Sequence, residues 1–231
     1  MAASQALKLR EKAYRSFTRH LLARDIRPGQ FISQRELVAL TGQPLGAIRE
    51  LIPRLEAEGL IVTVPQRGMQ VAHVDLNLIR NAFQFRLLME REAVAAFTRE
   101  ASDEAIAALR DAHLAIVERA RAGIDEALVD DAQGVDRDFH EALIDHLGND
   151  IISKSYRVNW IKVRLIRQNE TALHDELVEP VMREHLSVIE VIARRDADGA
   201  VTTLTQHINN ARNRAMRIAP AGGNHKGEDN A

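Results

Sequence analysis

The chain has no cysteine among its 231 residues. Disulfide bonds therefore cannot stabilise the fold, and any metal site must use histidine, aspartate or glutamate side chains. The N-terminal stretch carries a charge every two or three residues instead of the apolar run of a signal peptide, and no apolar run elsewhere reaches membrane-spanning length. We expect a soluble cytoplasmic protein without a membrane partner.

Basic and acidic residues nearly balance overall, 31 against 33, but they are unevenly distributed along the chain. Residues 1–73 contain eleven basic and six acidic side chains, whereas residues 74–231 contain twenty and twenty-seven. A basic module on an acidic body is typical of a protein that binds a polyanion at one end, because neutralised phosphates supply affinity. The charge distribution favours an N-terminal domain that binds nucleic acid.

The N-terminal residues have the pattern of a helix-turn-helix followed by a β-hairpin. Apolar residues recur at helical spacing from Lys8 to about Arg24, and Ser33 followed by Glu36 has the spacing of a capping box that begins a second helix. A third apolar stripe runs through LGAIRELIPRLEA, and the extended runs LIVTV and MQVAHV flank the turn PQRG. These elements predict a winged helix-turn-helix domain over residues 1–75.

The remainder of the chain is rich in Ala, Leu, Glu and Arg with a period near 3.6. This pattern predicts about six helices over residues 76–218, with breaks near Gly123, Gly148 and Pro180 among others. Residues 219–231 have no apolar periodicity and are predicted to be a disordered tail. The predicted fold class is therefore mainly α, with an N-terminal winged helix-turn-helix and a C-terminal all-helical bundle.

Four residues of the first domain are candidates for contacts with DNA. The second helix of a helix-turn-helix enters the major groove, where Arg reaches guanine edges and Gln reaches adenine edges. That helix opens at Gln43 and carries Arg49. The hairpin turn contains Arg67 and Gly68, so the wing can approach phosphates or the minor groove. Plain solvation of the turn is the alternative for Arg67.

The stretches RPGQFISQRELVALTG, AIRELIPRLEAEGLI and VPQRGMQVAHVD resemble the head domain of the GntR family of bacterial transcription regulators. The resemblance covers roughly residues 8–75. It implies operator contacts by Arg35 and Arg49 and places Gly68 at the glycine of the wing. The alternative is that both arginines are ordinary surface residues exposed to solvent.

Two features depart from the family pattern. This chain has Pro44-Leu45-Gly46 where the family usually has Ser or Thr with Arg, so one expected DNA contact is missing. Pro53 lies inside the recognition helix, where it lacks an N–H and crowds the preceding turn, and it predicts a kink or a shorter helix.

Four residues of the helical region could share a metal ion. Asp136 and His140 are four residues apart and therefore share one helix face. His185 and His207 each lie about eleven residues from the turn near Asp196, so an antiparallel helix pair would set them level. One carboxylate and three neutral imidazoles suit zinc, manganese or nickel, and zinc is the metal that we expect. For each histidine, an ordinary interior or surface role is the alternative.

The order Asp-x-x-x-His, Glu-His and a final His resembles the FCD ligand-binding domain that accompanies this branch of the GntR family, over roughly residues 76–217. The resemblance implies that the metal ligands are Asp136, His140, His185 and His207. It also places Arg86 at the pocket arginine of the domain, where a guanidinium would donate two hydrogen bonds to a carboxylate effector. A salt bridge to Glu90 on the same helix is the alternative.

A second effector contact is predicted in the segment SYRVNWIKVRLIRQN. Arg157, Trp160 and Arg164 share a helical face, so Arg164 could bind the anion while Trp160 lines the pocket. For Trp160 we favour buried packing, and for Arg164 an interface or solvent position is the alternative.

Together these patterns predict a DNA-binding transcription regulator that is not an enzyme. We expect a homodimeric repressor on a two-fold operator, controlled by a small organic acid bound at the metal site. One alternative is a metal that is only structural or is itself the signal. The other is a metal-dependent hydrolase or lyase, for which no separate general base stands out beside the cluster.

Overall fold

The computed structural model of the chain describes residues 2–167 and 174–218, so the predicted tail at 219–231 lies outside the described residues. The described residues divide into two compact units. One contains residues 2–78 with 161–167, and the other contains residues 79–160 with 174–218.

The N-terminal unit contains three helices and a three-stranded antiparallel sheet of order β1-β3-β2. The elements are α1 (Ala2–Leu22), β1 (Phe31–Ile32), α2 (Gln34–Thr41), α3 (Leu45–Ala57), β2 (Ile61–Val64) and β3 (Gly68–Val71). Strands β2 and β3 form the predicted hairpin, with Ile61 opposite Val71 and Val64 opposite Gly68. The predicted winged helix-turn-helix architecture is confirmed.

Local signals determine where α2 begins and ends. The Ser33 side chain accepts a hydrogen bond from the Glu36 N–H at 3.2 Å, and the Glu36 carboxylate accepts one from the Ser33 N–H at 2.7 Å. These two bonds are the predicted capping box. The helix ends at Gly42, whose φ of +65° is a conformation that glycine adopts at little cost.

Two details of this unit differ from the sequence-based predictions. Strand β1 was not predicted, because Phe31–Ile32 is too short for a detectable alternation and exists through its pairing with β3. Pro53 does not shorten the recognition helix, since α3 continues four residues beyond it to Ala57. Burial of Leu51 and Leu55 on either side of Pro53 offsets the one lost backbone hydrogen bond.

Six helices follow in the described residues, as predicted. They are α4 (Leu76–Glu100), α5 (Asp103–Ala122), α6 (Glu126–His146), α7 (Asp150–Arg167), α8 (His174–Ala193) and α9 (Ala197–Ile218). The break predicted near Pro180 is wrong, because α8 passes through it. Val178, Val181 and Met182 pack there into the apolar cluster with α5 and α6, and this burial outweighs the helix-breaking tendency of one proline.

Helix α8 packs against α5, α6 and α9. Side chains from four helices can therefore converge along its length. Within residues 2–167 and 174–218, none of the helices combines the length and apolar character needed to cross a bilayer.

Candidate metal centre and nucleic-acid interface

Three of the predicted metal ligands meet in the interior of the helical unit. His140 is on α6, His185 on α8 and His207 on α9, and none is more than 4% exposed. One ring nitrogen of each lies within 4.8 Å of those of the other two. Nε2 of His185 and Nε2 of His207 are only 3.1 Å apart. The buried triad is therefore a candidate metal site.

The fourth predicted ligand, Asp136, lies beside the triad. It is one helical turn before His140 and is buried. Its Oδ1 is 3.6 Å from Nε2 of His185 and 4.0 Å from Nε2 of His140. Zn–N and Zn–O bonds of about 2.0–2.1 Å place neighbouring ligand atoms roughly 3 to 3.5 Å apart, so small side-chain shifts would let all four reach one ion.

Two of the histidines are oriented by carboxylates. Nδ1–H of His140 donates to Oε2 of Glu90 at 2.7 Å, and Nδ1–H of His207 donates to Oε2 of Glu184 at 2.7 Å. Each bond fixes the proton on Nδ1 and leaves the Nε2 lone pair directed into the cluster. This arrangement is the usual support of metal-binding histidines.

The third histidine is oriented by another histidine, which sequence analysis missed. Nδ1–H of His113 donates to the carbonyl oxygen of Leu109 at 2.6 Å, so its Nε2 carries a lone pair. That Nε2 lies 3.0 Å from Nδ1 of His185, which must then be the donor. No local pattern identifies His113, because its partner lies 72 residues further along the chain.

With both His185 and His207 protonated on Nδ1, their Nε2 lone pairs face each other. Nε2 of His185 and Nε2 of His207 are both acceptors, and two acceptors 3.1 Å apart repel unless a cation lies between them. Burial lowers the pKa of His207 to about 4 even though Glu184 opposes the shift, so His207 does not supply a proton to this contact at neutral pH. The donor set fits a divalent metal ion.

Arg86, the predicted effector ligand, is buried beside the same cluster. Its Nε donates to Oε1 of Glu90 at 2.7 Å, so the salt bridge considered as the alternative is present. Its Nη2 lies 3.0 Å from Nε2 of His140. Burial works to raise the pKa of Glu90, but Arg86 and His140 hold it well below its ordinary value. An effector contact by Arg86 stays a prediction.

Trp160 and Arg164, the other two residues considered for the effector pocket, occupy different positions. Trp160 is buried, and its ring centroid is 5.7 Å from that of His140, consistent with packing against the cluster. Arg164 is half-buried in the part of α7 that groups with the N-terminal unit. Its role in effector binding stays a prediction.

The residues predicted to contact DNA lie in three places. Arg35 is on α2, Gln43 lies just before α3, which carries Arg49, and Arg67 and Gly68 are at the hairpin turn. Arg35, Arg49 and Arg67 are exposed, and Gln43 is half-buried with its side chain donating to the Thr41 carbonyl at 3.4 Å. Gly68 has a φ of +93°, and a side chain there would meet the carbonyl oxygen of Ile32 at 3.4 Å. Contacts between these residues and DNA stay predictions.

A further arginine of the recognition helix has a structural position. Arg54 donates to Glu11 on α1 and to Glu58, each at 2.9 Å, and its guanidinium lies 3.5 Å from the ring centroid of Tyr14. These contacts tie α3 to α1. Sequence analysis did not identify them, because Glu11 is 43 residues away.

Comparison with known families identifies both parts of the chain. Residues 9–71 match the family described as bacterial regulatory proteins of the gntR family, and residues 81–210 match the FCD domain. The second match covers more than half of the chain. The protein belongs to the GntR-family transcription regulators that carry a C-terminal FCD domain.

Individual relatives agree with this assignment. The chain is 26% identical to the Nta operon transcriptional regulator of Aminobacter aminovorans, over 79% of this chain and 82% of that protein. It is 25% identical to the transcriptional repressor RspR of Escherichia coli K12, over 86% and 85%. These relatives are transcription regulators and not enzymes, so the hydrolase alternative has no support among them.

Solved structures show the same fold. E. coli McbR/YncC superposes with a TM-score of 0.73 at 14% identity, over 92% of this chain and 97% of that chain. The metal-free FCD domain of TM0439 superposes with a TM-score of 0.53 at 23% identity, over 64% and 97%. The likeness to McbR/YncC covers both units, and that to TM0439 is to an FCD domain.

Proposed function

We propose that this DNA-binding regulator is a homodimeric, metal-dependent repressor whose operator affinity is controlled by a small organic acid. Zinc is the metal that the donor set suits best, because carboxylate oxygens and imidazole nitrogens are ordinary zinc ligands. The proposed ligands are Asp136, His140, His185 and His207. The observation that carries the metal is the pair of facing lone pairs on His185 and His207, 3.1 Å apart.

The charges around the cluster support an anionic effector. Asp136, Glu90 and Glu184 contribute three negative charges, and Arg86 and Arg214 contribute two positive ones. A divalent metal converts this single net negative charge into a single net positive charge. A buried positive charge favours an anion, and the neighbouring guanidinium of Arg86 suits a carboxylate.

The effector can regulate only if it binds the DNA-competent and DNA-incompetent arrangements of the dimer with different affinity. Repression is supported by the relative RspR, which is named a repressor. The use of two half-sites by helix-turn-helix proteins supports dimerisation, and sedimentation of the purified protein would measure it.

Elemental analysis of purified wild type and His185→Ala tests the metal. Thermal shifts with mono-, di- and tricarboxylic acids, from acetate to citrate, test the effector on the same proteins and on Arg86→Ala. We expect near-stoichiometric metal that is lost in His185→Ala, and stabilisation by at least one acid that is lost in both variants. Metal-free wild type would refute the metal site, and metal-bound wild type without any acid response would refute the effector.

A second candidate function is a structural or signalling metal without an organic effector. The burial of all four proposed ligands, at most 4% exposed, favours it, because structural zinc sites are closed. The two functions are distinguished by measuring how the protein binds a DNA fragment from upstream of its own gene. Binding is measured before and after metal removal, with and without the acids. Dependence on metal alone would support the second function.

A further inference from the structure

His113 is completely buried on α5 and belongs neither to the proposed ligand set nor to the DNA interface. Both of its ring nitrogens are engaged. Nδ1 lies 2.6 Å from the Leu109 carbonyl oxygen, which can only accept, so the proton of His113 is on Nδ1. Its Nε2 is therefore an acceptor.

The acceptor nitrogen of His113 determines which ring nitrogen of His185 carries the proton. It lies 3.0 Å from Nδ1 of His185, and this contact is a hydrogen bond only if His185 carries its proton on Nδ1. The lone pair of His185 then resides on Nε2, which is 3.1 Å from Nε2 of His207 and 3.6 Å from Asp136.

We infer that His113 is a positioning residue, which holds His185 in the tautomer and orientation that metal binding requires. The inference rests on the proposed metal site. The other two histidines use carboxylates for this purpose, and Arg86 and Arg214 balance those carboxylates. A neutral imidazole orients His185 without adding another buried negative charge beside the cluster.

The surrounding packing supports this role. The His113 ring contacts the rings of His185 and Phe139 edge to face, with centroids 5.1 Å and 5.4 Å away, and the Phe139 ring stacks on His185 at 4.5 Å. The rings of His140 and His207 also contact His185, but of His113 and Phe139 only His113 offers an acceptor to Nδ1 of His185. Replacement of His113 by Phe would preserve most of the packing and remove the acceptor.

The test compares His113→Phe and His113→Gln with wild type. A glutamine amide oxygen can reach the position of the lost nitrogen and accept from His185, whereas phenylalanine cannot. His146→Phe is the matched control, since His146 is another mostly buried histidine, packed edge to face against Phe97 at 5.1 Å. Zinc affinity is measured by competition with a chelator, and the tautomer of His185 by ¹⁵N NMR of the metal-free proteins.

We expect Nδ1-protonated His185 in wild type and loss of that tautomer in His113→Phe. Zinc affinity should fall about 10- to 100-fold in His113→Phe, recover largely in His113→Gln and stay unchanged in His146→Phe. Zinc-binding wild type with Nε2-protonated His185, or an undiminished affinity in His113→Phe, would overturn the role of His113 alone. Wild type that binds no zinc would instead overturn the proposed metal site, on which this role depends.

Discussion

Nη2 of Arg86 lies 3.0 Å from Nε2 of His140, the nitrogen that we propose as a metal ligand. One lone pair cannot serve a guanidinium and a metal ion at the same time. We therefore expect metal binding to turn this N–H group of Arg86 away from His140, so that it can donate to an effector carboxylate. This contact would then couple the proposed metal and effector sites.

Replacement of Arg86 by methionine should separate the two ligands. Removal of a buried positive charge that competes for His140 should strengthen zinc binding by at least about tenfold. Stabilisation by organic acids should be lost. Breaking the buried pair with Glu90 should also lower the free energy of unfolding of the metal-free protein by about 3–5 kcal/mol. Chelator competition and thermal unfolding measure these effects.

Arg91→Met is the matched control, because Arg91 is exposed on the same helix. It should leave zinc binding and stability unchanged. Weaker zinc binding by Arg86→Met would show that Arg86 supports the ligands instead of competing with the metal.

Glu184 should contribute to zinc affinity through His207. Its carboxylate accepts from His207 at 2.7 Å, and from Asn210 and Arg214 at 3.2 and 3.0 Å, so it ties α8 to α9. We expect Glu184→Gln to weaken zinc binding about tenfold and to destabilise the protein by about 1–3 kcal/mol. Glu179→Gln, which alters a surface pair on the same helix, is the control. Lower stability with wild-type zinc affinity would show that Glu184 supports the fold and not zinc binding.

Much of the fold could be predicted because its signals are local. The capping box of Ser33 and Glu36 and the glycine after α2 act within one or two helical turns. Strand β1 could not be predicted, because two residues carry no periodicity and pair with a strand 37 residues further on. The helix break predicted near Pro180 is absent and Pro53 does not shorten α3, because buried neighbours outweigh the proline penalty and burial is a tertiary property.

The candidate site divides in the same way. The spacing of Asp136 and His140 on one helix, and of His185 and His207 about the turn near Asp196, predicts that the proposed ligands lie close together. The groups that orient them could not be found, because Glu90 and His113 lie 50 and 72 residues from their partners. Packing of α8 against α5, α6 and α9 creates those contacts, and helical periodicity does not specify which faces meet.

Arg54 should stabilise the head domain rather than bind DNA. Arg54→Met removes the contacts with Glu11, Glu58 and Tyr14 while retaining an unbranched side chain. Because these contacts are partly exposed, the expected loss of stability is about 1 kcal/mol. Arg15→Met is the control, since Arg15 also pairs with Glu11 but is largely exposed. It should change stability by less than about 0.5 kcal/mol.

The same variant should change the pH dependence of unfolding. Partial burial works to raise the pKa of Glu11, but Arg54 and Arg15 lower it below its ordinary value of 4.5. The stabilisation is therefore complete above pH 4.5 and is lost as the pH falls through the lowered pKa. Urea unfolding of the metal-free protein between pH 5 and 3 should show a shallower decline in Arg54→Met. An identical decline in wild type and variant would exclude this ion pair as a source of stability.

Arg49 should be a specific contact of the recognition helix. It is exposed on α3, one turn after the residues that open the helix. If Arg49 binds a base edge, Arg49→Ala should weaken binding to the operator about 10- to 100-fold while hardly changing binding to unrelated DNA. If Arg49 binds a phosphate, both affinities should fall together and the slope of log affinity against log salt should decrease by about one. Fluorescence anisotropy at several salt concentrations distinguishes the two.

Arg137→Ala provides the control for Arg49, because Arg137 is an exposed arginine of the helical unit that pairs with Asp138 at 2.8 Å. Its loss removes the same formal charge from the protein, so any effect of overall charge on DNA binding appears equally in both variants. Operator binding by Arg49→Ala that matches Arg137→Ala would place Arg49 outside the interface. Recognition would then depend on Arg35, Gln43 and the wing, which offer the remaining predicted contacts.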